Sequence, residues 1–167
     1  MENYYSTFYL PLMPGNSESG LFASRSPETF HTLGAWALFM CAQSAALLRW
    51  KLDTDNDISI FHLAPNPAGP IKTKAHLAYW CIRASTFLGL DRGPKRTTFW
   101  KPFEELFGQP RKALSRATGP LDLQRDNEGR ITQKNEAYTK EIDAFFDNLG
   151  TDLEHYINSY LQSIQQL

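Results

Sequence analysis

A chain of 167 residues with 42% hydrophobic and 13% aromatic side chains carries too much apolar material to be a disordered polymer and enough to bury a core without crosslinks. Its two cysteines, Cys41 and Cys81, sit in apolar helical patterns, which excludes a disulfide framework and points to a reducing compartment. The net charge of −1 hides a split: residues 72–116 hold ten basic side chains against three acidic ones, a net of +7, so the remainder carries −8.

The N-terminus, Met1-Glu2-Asn3-Tyr4-Tyr5, has no basic stretch before an apolar run and does not read as a secretory signal, so a cytoplasmic location is expected. Tyr4 to Leu10 is rich in strand formers and ends at Pro11, and Pro14 to Ser19 has loop composition. Ser26-Pro27-Glu28 is a helix start, with Ser26 as N-cap and Pro27 at the first helical position, and the helix is expected to run to about Leu52. Within it, Thr29 to Leu48 lacks Asp, Glu, Lys and Arg, about the length of a membrane span. His31, Thr32, Gln43, Ser44 and five alanines dilute it, so the reading is a helix buried on most sides and no membrane partner.

Asp53-Thr54-Asp55-Asn56-Asp57 reads as a polar turn. Its D-x-D-x-D spacing matches the start of an EF-hand loop, but Ile58 stands where that loop needs Gly and Ala64 where it needs Glu. Ile58 to Leu63 alternates like a half-buried strand that pairs with the N-terminal one, and Pro65, Pro67, Gly69 and Pro70 make a stiff linker. A second helix is expected over residues 71–88, stopping near Gly89 and Gly93-Pro94. Pro102, Gly108, Pro110 and Gly119 then allow only short helices, and residues 120–130 read as a polar loop. From about Thr132 an apolar stripe at helical period runs to Ile164, with a break expected near Gly150-Thr151-Asp152-Leu153-Glu154. Its 4, 3, 4, 3, 4 steps through Ile142, Phe146, Leu149, Leu153, Tyr156 and Tyr160 would serve a homodimer seam, but Phe145, Ile157 and Leu161 widen it, which favours packing within the domain.

The expected fold is therefore mainly α, one helical domain over residues 1–167, a bundle of the 27–52, 71–88 and 133–165 helices with a small two-stranded β element. Trp36, Phe39, Met40, Leu47, Ile82, Phe146, Leu149, Leu153 and Ile157 are its expected core.

The leading functional candidate is the basic middle. In residues 92–101 cations alternate with hydroxyls and two aromatics, the mixture with which nucleic-acid surfaces hold phosphates and stack bases. Arg92, Lys95, Arg96, Trp100 and Lys101 are the expected contacts, extended by Arg111, Lys112 and Arg116. The competing reading makes Phe99, Trp100, Phe103, Leu106 and Phe107 core anchors and the cations a solvated loop or partners of the acidic C-terminal helix.

Arg25 and His31 bracket Ser26-Pro27-Glu28-Thr29-Phe30, a spacing that resembles the Arg-x4-6-His motif of HEPN ribonucleases over seven residues. The resemblance implies a helical dimer that brings two such pairs together to cut RNA, with Arg25 stabilising phosphate charge and His31 acting in proton transfer. Pro27 places Arg25 outside the helix, so no catalytic residue is assigned. His62, His76 and His155 have no Cys or carboxylate at metal-ligand spacing, and no phosphate loop, nucleophile elbow or zinc pattern is present, so neither metal nor cofactor is expected. The sequence thus points to a non-enzymatic binding protein whose partner is a nucleic acid or nucleoprotein complex. A protein-only interaction module or inhibitor and a HEPN-like ribonuclease are the alternatives.

Overall fold

The fold is mainly α with small antiparallel β elements, seen in a computed structural model that describes residues 33–53, 60–91, 97–98 and 100–165. Helix α1, Leu33–Ser44, is apolar nearly all round, and Ala35 to Phe39, Cys41 and Ala42 are all buried. No helix among the described residues is long and apolar enough to cross a bilayer.

The expected continuation of this helix to Leu52 is not what the chain does. The Leu47 amide donates to the Ala42 carbonyl and the Ala46 amide to that of Gln43, the paired bonds of a Schellman ending, with Ala46 in the left-handed region at φ 59°. After that stop, Leu48-Arg49-Trp50-Lys51-Leu52-Asp53 alternates apolar and charged residues, a period of two that suits a strand. It forms β1, Leu48–Asp53, which pairs antiparallel with β2, Ile60–Pro65, from Leu48 opposite Pro65 to Asp53 opposite Ile60. The second strand therefore takes its partner from the segment read as helix. The expected N-terminal strand, the Ser26 helix start and the Arg25–His31 pair lie outside the described residues, as do Asp55 and Asp57.

Helix α2, Lys74–Phe87, has Thr73 as N-cap in a capping box closed by His76 in place of an acid. It ends where Gly89, at φ 71°, lets the Leu90 amide reach the Ser85 carbonyl. This is the central helix of the core. Trp80 on it is fully buried and touches the rings of Phe39, Phe103, Phe107 and Phe146, so aromatic groups from three other helices meet on one side chain.

Pro102 stands in the first turn of α3, Lys101–Phe107, and Gly108 ends it in the left-handed conformation. Pro110 precedes α4, Arg111–Arg116, whose Leu114 points into the core. Gly119 begins a 3-10 turn, Gly119–Leu121, where a helix end was expected. Residues 120–130 are likewise more than a loop, for β3, Gln124–Arg125, and β4, Ile131–Gln133, form a second hairpin around Gly129 at φ 82°. Asp126 ties that turn by accepting from the backbone amides of Glu128 and Arg130 at 2.9 Å each.

The C-terminal stripe is two helices. Helix α5, Glu136–Asp147, is capped by Asn135, and α6, Gly150–Gln165, starts after a break at Asn148 and Leu149. Ile142 and Phe146 pack α5 against α2, while Leu153 and Ile157 face inward from α6, which lies on α1. Trp36 meets the Tyr156 ring edge-on at 6.1 Å, and the Ser44 and Tyr156 hydroxyls hydrogen-bond at 2.5 Å. Eight of the nine expected core residues are buried, and Met40 is partly so.

Candidate functional site

The basic segment divides into two environments. Helix α4 presents Arg111, Lys112, Ser115 and Arg116 to solvent on the face opposite Leu114, with Arg111 and Ser115, and Lys112 and Arg116, each one turn apart. Lys101 is exposed at the start of α3, and Lys72 and Lys74 are exposed around the start of α2. Among the described residues none of these six cations enters an ion pair. Trp100, immediately before α3, is half-buried and packs against the core. Arg92, Lys95 and Arg96 lie outside the described residues.

Arg83 is the cation of the basic segment that pairs with the acidic half among the described residues. Its Nη1 donates to Asp143 Oδ1 at 2.9 Å and its Nη2 lies 3.7 Å from Asp147, both on α5. The same carboxylate accepts from the Tyr79 hydroxyl at 2.5 Å and from Lys134 Nζ, which also donates to the Tyr79 oxygen at 3.3 Å. One carboxylate, 16% exposed, thus serves two cations and a phenol, and its bonds to the cations are charge-assisted. Burial, then the hydrogen bond to Asp143, raises the Tyr79 pKa. Burial alone would lower that of Lys134, but its contacts with Asp143 and Tyr79 outweigh this and raise it. Tyr79 is therefore held as a neutral donor and Lys134 as a cation. This excludes Tyr79 as a general base near neutrality.

Beside this network lies a cleft of about 420 Å³, a volume within the usual range for small-molecule sites. Tyr79, Arg83 and Phe87 recur every fourth residue and give α2 one face toward it. The second hairpin supplies the opposite wall through Arg125, Arg130 and Ile131, with Lys134 just after it. Arg130 is held by Asp126 and Glu128 of its own turn, whereas Arg125 donates to the neutral carbonyl of Gly129 at 2.7 Å. Asp91, beyond the end of α2, also lines the cleft.

The sequence reading did not single out Tyr79, Lys134 or Asp143. A usable signal existed in Asp143, a carboxylate beside Ile142 and three residues before Phe146 in the apolar stripe of α5. A charge so placed must find a partner across the helix interface. Among the described residues no group of three or more His, Cys, Asp or Glu side chains converges as a metal site. His76 Nδ1 is engaged by the Thr73 cap, and His155 lies edge-on to Tyr156. No protein-family model matches this chain, and no curated protein or solved structure is significantly similar to it.

Proposed function

We propose that this is a non-enzymatic binding protein that docks a nucleic acid or nucleoprotein complex on the cationic face of α4 and the start of α3. What carries the reading is the division of charge within residues 72–116. Arg83 pairs with Asp143 and Asp147 of α5, while Lys101, Arg111, Lys112 and Arg116 stay exposed and free of ion pairs among the described residues. Cations kept out of internal pairs on a chain of net charge −1 are a local potential rather than a global one, suited to steering and holding a polyanion. Two free, buried thiols are in keeping with a cytoplasmic setting for such a partner.

The test is a fluorescence-anisotropy titration of labelled single- and double-stranded oligonucleotides over a range of salt. Affinity is expected to fall steeply with salt, and replacing Arg111, Lys112 or Arg116 by Ala to lower the salt slope by about one per residue. Absence of binding at low ionic strength, or binding indifferent to salt, would overturn the proposal.

A further inference from the structure

The cleft between α2 and the second hairpin is built differently from the α4 face and does not depend on what that face binds. We propose that it takes an organic phosphate monoester, with the phosphate among Arg83, Arg125 and Lys134 and a flat apolar body on Ile82, Phe87 and Ile131. Three lines of chemistry on these residues meet in that assignment.

The first is unspent charge. Arg83 and Lys134 share Asp143, and the second acid on Arg83 among the described residues is Asp147, 3.7 Å away and 72% exposed. Arg125 adds a third cation whose hydrogen-bond partner is a neutral carbonyl. Among the side chains that line the cleft, Arg83, Arg125, Arg130 and Lys134 are cations and Asp91 is an acid. Arg130 adds nothing to the anion site, being more than offset by Asp126 and Glu128.

The second is unspent donors. An ammonium has three N–H groups and Lys134 uses two, on Asp143 and Tyr79; a guanidinium has five and Arg125 uses one. These cations come from α2, β3 and the segment after β4, so separate elements bring them to the lining of one cleft. A tetrahedral phosphate with three terminal oxygens satisfies such a set better than a planar carboxylate, which is matched by a single fork.

The third is the wall next to the charges. Phe87 lies one turn of α2, about 5.4 Å, beyond Arg83, and with Ile131 across from it keeps apolar surface half open toward the cleft. A bare anion would leave that surface wet. Asp91 in the lining disfavours a second anionic group on the body.

The experiment is isothermal titration calorimetry of the full chain with phenyl phosphate, AMP, benzoate and inorganic phosphate. Phenyl phosphate or AMP is expected to bind at least about ten-fold more tightly than inorganic phosphate or benzoate; whichever of the two binds more tightly says whether the body is a simple aryl group or a nucleoside. Arg125→Gln is expected to weaken that binding about ten-fold or more, the loss of one charge-assisted contact. This variant removes only a turn contact and keeps the fold, whereas Lys134→Gln also disturbs Asp143, so far-UV and near-UV circular dichroism accompany both. Absence of saturable binding by either aryl phosphate, equal binding of inorganic phosphate, equal binding of benzoate, or an unchanged affinity in folded Arg125→Gln would each overturn the proposal. Oligonucleotide binding is a separate titration, so its failure leaves this result intact.

Discussion

Replacing Asp143 by Ala removes the one carboxylate that holds Arg83, Lys134 and the Tyr79 hydroxyl together. Were the three fully buried, leaving two cations unpaired would cost about 3–5 kcal/mol, and were they on the surface, at most about 1 kcal/mol. Asp143 is 16% exposed, but Arg83 and Lys134 are 30% and 31% exposed and can turn toward water. The expected loss is therefore intermediate, about 2–3 kcal/mol, which at a urea m-value of roughly 2 kcal/mol/M lowers the unfolding midpoint by about 1 M. Lys134→Met should cost less in the Asp143→Ala background than in the wild type, because there it removes a stranded charge. The pH dependence carries a second signature. Raised folded-state pKa values mean that the native protein holds the Tyr79 and Lys134 protons more tightly than the unfolded chain does. Their contribution is complete below the ordinary values of 10.0 and 10.5 and is lost as the pH rises through the folded-state values, so the wild type should weaken above about pH 10 and Asp143→Ala should show less of this. A destabilisation under about 0.5 kcal/mol, or strict additivity with Lys134→Met, would refute the idea that one carboxylate fastens α5 and the second hairpin to α2.

Leu149 is 4% exposed at the break between α5 and α6, and Leu149→Ala should cost about 2–5 kcal/mol in a denaturant titration. A Cβ on Gly69 would stand 2.2 Å from the Ala46 carbonyl oxygen, so Gly69→Ala should be strongly destabilising, read as a fall in Tm. Ala46→Gly should instead raise stability by about 1 kcal/mol, because a left-handed φ of 59° is costly for Ala and free for Gly. Burial pushes the Cys41 thiol up to about 12, with Asp152 adding to it, and that of Cys81 well above its usual value. Both should therefore resist a disulfide reagent at pH 8 until the protein is unfolded.

Much of the architecture was legible because it is written in local chemistry. The apolar run before Gly89 bounds α2, Pro102 and Gly108 frame α3, and the wide stripe expected from about Thr132, with its interruption near residue 150, marks α5 and α6, although its first residues, 131–133, form β4 and α5 starts at Glu136. The errors were also local in origin. The period-two pattern from Leu48 to Asp53 was absorbed into the preceding helix because no Gly or Pro marks the stop, and Ala46 does that work in a strained conformation. The short hairpin at residues 124–133 was hidden by polar composition, since its strands are only two and three residues long. The exposure of Arg111, Lys112 and Arg116 follows from a six-residue helix with a single buried leucine, which a sequence can state by itself. What it could not state is which cations remain free. Arg83 belongs to the same basic run, yet it pairs with Asp143, sixty residues away, because α2 and α5 cross with their apolar stripes together and carry the flanking polar side chains into contact. The cleft arises in the same way, from a helix face, a hairpin turn and a lysine that only the packing of α5 brings to one place.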